Sequence, residues 1–491
     1  MAISRFFLLF SLLGSCSSVA FGAAVPLPVD RPLTANKVRL ELDGSRVEVR
    51  IEPGADSQIT IEDAVNGDET EGFVLMESGK GGLRVGRPHG DEVLAPPLTV
   101  VLVLGGGEIL RIEGSDLTVE LSDLREDLDE AQRNLLAEES VLETARARRP
   151  GGVASRLVLA VDDSDLVLER IAGGSLSGVN NRITLESCRG PFVFDQQSGS
   201  IDIRNHWGSL HLKGDGASYV VEGGDQRIVA TLEGGELRLS GGGGTVQATV
   251  NTSQVSADAW AGNLRFEGAD ARFDIGQSAT EEDLLEIRGE NQDIKVSEHG
   301  GGLKMALTEG RVTIDGVAGK VDLELEDGSE AEVANLDDVL SIRLSSGSSA
   351  RVQDVVGKVR AQVKESEFHL RAALELELKA SEAVVDVREI SNKLRVEASE
   401  SEVDLDLEAP RTRPELRLAR ASSGRVVLAS PCRVRVSGEM DAVRDRLQVS
   451  GCDLEDRKSG RRPVAALRGQ RPPITLLVEV GQEAHLEVWS R

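Results

Sequence analysis

A short unit recurs through the chain and limits what it can fold into. Each copy reads glycine, any residue, apolar, any residue, apolar, and successive copies lie nine residues apart or close to a multiple of nine. Clear copies begin at Gly199, Gly208, Gly235, Gly262, Gly301, Gly310 and Gly319, a weaker one begins at Gly357, and Asn392 takes the glycine's place before Leu394 and Val396. A period of two is typical of a strand with one buried face.

Nine residues are too few for the crossover helix that parallel strands usually need. The repeat therefore predicts an all-β parallel solenoid, with two or three units per coil and the apolar faces stacked into one core. Tandem antiparallel β-sandwiches would show similar strands and remain the alternative fold. We expect the repeat glycines, and Asn392 with them, to hold a positive φ at a turn.

Composition and charge narrow the classes of partner. Aromatic residues make up only 3% of the chain, whereas an enzyme of this size usually fills its core with more of them. Acidic residues number 83 and basic residues 56, a formal net charge of −27. This charge argues against binding nucleic acid or anionic lipid headgroups. It fits cations, basic partners or neutral polymers.

The segment from Met1 to Gly22 has the pattern of a secretory signal. Arg5 is followed by an apolar run and by a small-x-small site at Ala20-Phe21-Gly22. This predicts export to the periplasm or the extracellular space. The stretch ending at Cys16 resembles a lipobox, so lipidation of Cys16 and outer-membrane attachment are the alternative to cleavage after Gly22. After signal cleavage, no other stretch is long and apolar enough for a transmembrane helix.

The remaining chain divides into five predicted segments. Residues 23–35 are a linker and 36–121 an N-terminal β-repeat region. Residues 122–150 form an inserted helix, because Leu124, Leu128, Leu135 and Leu142 fall on a heptad track. This helix either packs on the sheets as a cap or mediates self-association as a coiled coil. Residues 151–456 form the main solenoid, and 457–491 a basic loop with terminal strands.

The chemistry-bearing residues predict no catalytic, cofactor or metal site. The spacing between Cys432 and Cys452 is close to that of stacked coils, which indicates a disulfide in an oxidising compartment. His206 and His211 would face opposite sides of a strand, and we expect all six histidines at the surface or in turns. The acidic clusters near Asp163, Glu282 and Asp327 are typical of solvated turns.

The signal, the alternating strands and the repeated unit together resemble bacterial adhesin-like families of unknown function with β-strand repeats. The resemblance covers about residues 36–121 and 151–430. It implies an envelope location, a right-handed parallel β-solenoid and no characterised catalytic residues. The function predicted is a non-enzymatic adhesin-like or scaffold module whose partner is an envelope polysaccharide or protein. The alternative is a polysaccharide lyase or hydrolase on a parallel β-helix.

Overall fold

Thirty-seven β-strands make up the secondary structure of the described residues, and no helix lies among these residues. The computed structural model describes the strands between residues 29 and 123 and most of the chain from 156 to 490. The described ranges are 29–32, 37–43, 46–51, 58–63, 74–78, 82–86, 98–104, 109–115, 117–123, 156–171, 173–278, 280, 282–407, 412–429, 432–437, 445–455, 474–481 and 483–490.

Nine strands lie before residue 124. They are β1 (Val29–Pro32), β2 (Lys37–Asp43), β3 (Arg46–Ile51), β4 (Gln58–Asp63), β5 (Val74–Ser78), β6 (Gly82–Gly86), β7 (Leu98–Leu104), β8 (Ile109–Ser115) and β9 (Thr118–Asp123).

Twenty-three strands form the body. They are β10 (Arg156–Asp162), β11 (Asp165–Glu169), β12 (Gly174–Glu186), β13 (Phe192–Asp215), β14 (Ser218–Glu233), β15 (Glu236–Ser240), β16 (Gly243–Asn251), β17 (Gln254–Asp258), β18 (Leu264–Ala269), β19 (Arg272–Ile275), β20 (Leu284–Glu290), β21 (Asp293–His299), β22 (Gly302–Thr308), β23 (Arg311–Val317), β24 (Val321–Glu326), β25 (Glu330–Leu336), β26 (Leu340–Leu344), β27 (Ser349–Lys364), β28 (Glu367–Ser381), β29 (Val384–Ser399), β30 (Glu402–Leu407), β31 (Glu415–Ala419) and β32 (Ser423–Leu428).

Five strands follow the body. They are β33 (Cys432–Val436), β34 (Leu447–Ser450), β35 (Asp453–Glu455), β36 (Ile474–Val480) and β37 (His485–Ser490).

The chain winds alternately through two sheets. In the body, strands pair in parallel with the equivalent strand one turn later, and the usual offset is twice the nine-residue unit, as from Ile183 to Ile201 and on to Tyr219. Each turn therefore holds two units, and the parallel solenoid has about 16 turns. This pairing confirms the predicted solenoid and excludes the antiparallel sandwich for the described body.

Long strands such as β13 pass round a corner and enter both sheets. Sheet 1 contains β8, β10, β16, β18, β20, β22, β24, β26 and β31, with residues 174–179, 192–197, 210–215, 228–233, 359–364, 376–381 and 394–399 of longer strands. Sheet 2 contains β9, β11, β15, β17, β19, β21, β23, β25, β30 and β32, with residues 182–186, 200–204, 218–222, 349–355, 367–373 and 384–390.

The core lies between the two sheets and runs the length of the body. Alternate residues of each strand point inward, mostly Leu, Ile and Val, and they belong to one continuous buried cluster. The largest fully buried side chains in it are Trp260, Tyr219, Phe192, Phe194, Phe266, Phe273 and Phe368. Burying one such side chain contributes roughly 1.5–3 kcal/mol, so stability is distributed over all the turns.

Serine side chains satisfy the backbone at the first corner, where the chain passes from sheet 1 to sheet 2. The hydroxyl of Ser253 donates to the carbonyl of Asn251 at 2.6 Å and accepts from the N–H of Gly235, one turn earlier, at 3.2 Å. The buried Ser164, Ser329 and Ser401 make the same two kinds of bond. These hydroxyls replace ladder bonds that the corner interrupts, as buried backbone groups require.

The expectation of a positive φ for every repeat glycine, and for Asn392, is wrong. Gly199 has a φ of +89°, but Gly301 and Asn392 are not among the residues with positive φ. At Gly301 a Cβ would lie 2.0 Å from the carbonyl oxygen of Asp283 in the preceding turn, so close stacking demands glycine there. Near Asn392 the left-handed residue is Glu389, with a φ of 57°.

Both ends of the solenoid are interleaved. At the N-terminal end, β2 lies between β6 and β8, and β3 lies between β7 and β9, all in parallel. Beyond them β4 pairs antiparallel with β1 and β7, and β5 with β6. At the C-terminal end, β36 lies between β31 and β33, and β37 between β32 and β34. In each case a terminal strand pair is enclosed by strands from elsewhere in the chain.

The structure corrects three of the predicted segment boundaries. The supposed linker 23–35 contains β1, which pairs with β4. The segment predicted to be helical begins inside β9, which continues to Asp123, and residues 124–150 lie outside the described residues. Residues 36–121 do not form a separate region, because β8 and β9 pair directly with β10 and β11. Local sequence does not reveal such long-range pairing.

Candidate binding surface

Two neighbouring outward columns of sheet 1 are almost free of charge over six consecutive turns. Parallel strand pairing places the residues of one column next to each other in successive turns. The parallel bridge between Arg189 and Trp207 has the same offset of one turn. Of twelve positions only two are charged, and these form an ion pair of 2.9 Å. We call this surface the neutral face, and its residues are Val158, Ala160, Ser175, Ser177, Val193, Asp195, His211, Lys213, Val229, Thr231, Gln247 and Thr249.

The same two columns become densely charged in the next eight turns. Thirteen of the sixteen positions carry charge, with the two signs mixed along and across the columns. We call this surface the charged face, and its residues are Arg265, Glu267, Glu286, Arg288, Lys304, Ala306, Asp322, Glu324, Ser341, Arg343, Arg360, Gln362, Glu377, Lys379, Arg395 and Glu397.

The charged face satisfies much of its own charge. Glu286 lies 2.6 Å from Arg288, 3.7 Å from Lys304 and 3.9 Å from Arg265. The hydrogen bond from Lys358 lowers the pKa of Glu377, and the hydrogen bond to Glu267 raises the pKa of Arg265. A ligand on this face would have to displace these internal pairs.

An exposed tryptophan lies near the neutral face, separated from it by one outward column that contains Ser209, Arg227 and Thr245. Trp207 lies at the second corner, where the chain returns from sheet 2 to sheet 1, and 44% of it is exposed. The guanidinium carbon of Arg189 lies 5.8 Å from the centroid of the indole ring, within the range of a cation–π contact. On its other side the same column continues to the exposed Asp225 and then to Gly243. No motif in the sequence marks Trp207 as a functional residue.

Two histidines lie inside the second corner, contrary to the expectation of surface or turn positions. His206 is fully buried and His299 nearly so, and among the described residues neither ring has a hydrogen-bond partner of standard geometry. Burial lowers the pKa of His206 to about 4, although the backbone at Cys188 and Gly190 opposes this, and burial also lowers the pKa of His299. The ring of Phe192 meets His206 edge-on, with centroids 5.5 Å apart. The local pattern did not reveal that these histidines continue the inward alternation round the corner.

His211 lies on the neutral face, pointing outward, whereas His206 points inward. The structure thus separates these two histidines, as their spacing predicts. His369 and His485 are also at the surface, and His89 lies outside the described residues.

The carboxylates of the acidic clusters mainly accept hydrogen bonds at the corners between the sheets. The carboxylate of Asp163 accepts from the side-chain amide of Asn180 at 2.8 Å. Asp283 is buried and accepts from the Gly262 N–H at 2.8 Å and from the Thr280 hydroxyl at 2.6 Å. Within the described ranges, no group of three or more His, Cys, Asp or Glu side chains has an arrangement suited to a metal ion.

The structure joins Cys432 and Cys452 by a disulfide, with Cα atoms 4.9 Å apart. Cys432 begins β33, and Arg433 pairs with Asp453 of β35, so the two cysteines are neighbours in adjacent turns. Cys188 is a free, buried thiol at the second corner, and burial raises its pKa to about 11. Such a thiol remains protonated at neutral pH and is a poor nucleophile.

Other predicted features lie outside the described residues. These are the signal with Cys16, the heptad track from Leu124 to Leu142 and the basic stretch between Arg457 and Arg471. In the part of the chain that the structure describes, no helix is long and apolar enough to span a bilayer.

No protein-family model matches the chain, and no curated protein matches it either.

Proposed function

We propose that this chain is an exported, non-enzymatic module of the cell envelope that acts as a scaffold or in an adhesin-like manner. The observation that carries the proposal is the neutral face, an exposed two-column surface on a continuous parallel solenoid. About 16 turns at roughly 4.7–4.9 Å each give a body about 75 Å long, which offers an extended contact surface.

The contrast between inward and outward positions supports a role in display. Inward positions are mostly apolar in every turn, while the two outward columns of sheet 1 change from neutral to densely charged at Arg265. An envelope polysaccharide or protein is the partner class that we propose, and the net charge of −27 disfavours nucleic acid.

Finer features remain part of the proposal. They are a right-handed coil, which parallel connections strongly favour, a helix after β9 that caps the sheets or self-associates, and either signal cleavage after Gly22 or lipidation of Cys16. A polysaccharide lyase or hydrolase is the competing function.

The test separates binding from catalysis. The purified mature protein would be incubated with neutral and acidic polysaccharides, with and without calcium, and assayed for new reducing ends and unsaturated products. Retention would be scored on the same polymers. Retention without products is expected. Product formation on any polymer would overturn the non-enzymatic function.

A further inference from the structure

We propose that the neutral face, together with the nearby Trp207, is a binding site for a neutral polysaccharide chain. This inference rests on the proposed function and adds to it a ligand class and a place. Four observations carry it: the aromatic platform, the exposed acidic residue beside it, the composition of the face and the charge of the whole molecule.

Trp207 provides the platform. Its indole is 44% exposed, and exposed tryptophans are enriched at binding interfaces. The pyranose ring of a sugar has faces rich in C–H groups and edges rich in hydroxyls. A C–H face can stack on the side of the indole that the guanidinium of Arg189 does not cover.

The column beyond Trp207 continues with one acidic residue and one glycine. The next position holds Asp225 and the one after it Gly243, which has no side chain. Among the described residues Asp225 has no ion-pair partner, so its carboxylate is available to accept from sugar hydroxyls.

The neutral face has a composition suited to a sugar polymer. Val193, which is 44% exposed, and Val229 offer apolar contacts, while Thr231, Gln247 and Thr249 offer hydroxyl and amide groups. The six turns span about 24 Å from the first to the last, so several sugar residues can lie along the columns.

Charge selects a neutral polymer. The two charged residues of the neutral face, Asp195 and Lys213, form an ion pair, so the face itself carries no net charge. Beside it, the carboxylate of Asp225 offsets part of the charge of Arg189 and Arg227. The net charge of −27 repels an acidic polysaccharide and equally a second copy of this chain. A neutral polymer meets neither barrier.

The chain provides matched controls for the test. Trp489 is 45% exposed, nearly the same as Trp207, but it lies on β37 at the C-terminal end. Ser341 occupies the same outward column as Val193, but within the charged face. Replacing Trp207 or Trp489 by Ala, and Val193 or Ser341 by Glu, alters exposed or partly exposed side chains, and circular dichroism would show that each variant folds.

Affinity electrophoresis of the mature protein in gels containing dextran, hydroxyethylcellulose or galactomannan would give the affinities, with alginate as the acidic comparison. We expect retention on a neutral polymer and not on alginate. Trp207→Ala and Val193→Glu should each lower the affinity at least tenfold, while Trp489→Ala and Ser341→Glu should change it less than twofold.

Three results would overturn the site. They are no retention on any of the three neutral polymers, equal effects of Trp207→Ala and Trp489→Ala, or stronger retention on alginate. Stronger retention on alginate, or retention that ignores Trp207, would reject this site but leave an adhesin-like module in place. Release of reducing ends would reject the non-enzymatic function. The affinities of the Trp207 and Val193 variants would still decide whether the polymer binds at this site.

Discussion

The neutral and charged faces of sheet 1 are built on the same backbone and differ only in what points outward. Phe194 of the neutral half and Phe266 of the charged half are both completely buried, each between two outward residues of its own face. Val193 and Asp195 flank the first, and Arg265 and Glu267 flank the second. The difference shows that stacking and core packing constrain the inward positions, while the outward positions are left to solubility and binding.

The first prediction tests whether the two halves share one core. Phe194→Ala and Phe266→Ala should each lower the free energy of unfolding by about 3–5 kcal/mol, because each leaves a cavity among packed side chains. Urea unfolding followed by circular dichroism would measure both. A cost that is large in one half and near zero in the other would show that the core is not continuous.

The second prediction concerns the buried histidines, one in each half. The pKa of His206 is about 4 in the folded chain and near 6.5 when unfolded, so the unfolded state binds more protons between these values. Stability should therefore be complete above pH 6.5 and decline as the pH falls toward 4. At pH 4.5 the loss from His206 should be about 2–3 kcal/mol.

Urea unfolding at pH 7.5 and 4.5 would compare the parent chain with His206→Leu and His299→Leu. The pH-dependent loss should shrink most in His206→Leu. The effect of His299 should be smaller, because Asp283 opposes the lowering of its pKa by burial. An unchanged loss in His206→Leu would contradict the assignment, since carboxylates that titrate nearby are common to all three proteins.

The third and smallest effect concerns the ion pairs of the charged face. Glu286 is 14% exposed and contacts three cations, so Glu286→Gln should cost about 1 kcal/mol and less at high salt. Glu222, which is 61% exposed, gives the control at the level of the neutral face. Glu222→Gln should change the unfolding free energy by less than about 0.5 kcal/mol. Equal effects of the two variants would mean that the charged face is not a coupled network.

The fold could be predicted largely from the repeat. Alternation in units such as Gly235-Glu-Leu237-Arg-Leu239 indicates one buried face per strand, and the nine-residue spacing excludes crossover helices. Once the structure sets two units per turn, the outward columns can be read from the sequence at intervals of two units.

Other features depend on contacts that local patterns do not contain. Left-handed residues such as Glu365, Ala372 and Arg420 are not the types that usually adopt a positive φ. β36 and β37 each pair with two earlier strands, and local sequence does not predict this long-range pairing. The candidate site was not predicted, because Trp207 and Val193 lie on the same side of the molecule only once the chain has wound into a solenoid.

Hydroxyl-radical footprinting of the mature protein would show where a neutral polymer binds, because Trp207 and Trp489 lie in different parts of the molecule and report within one sample. Oxidation would be compared with and without a saturating neutral polysaccharide chosen by the retention assay. The neutral face predicts slower oxidation of Trp207 and His211 with no change at Trp489. If the bound polymer protected Trp489 and left Trp207 fully reactive, that result would contradict binding at the neutral face.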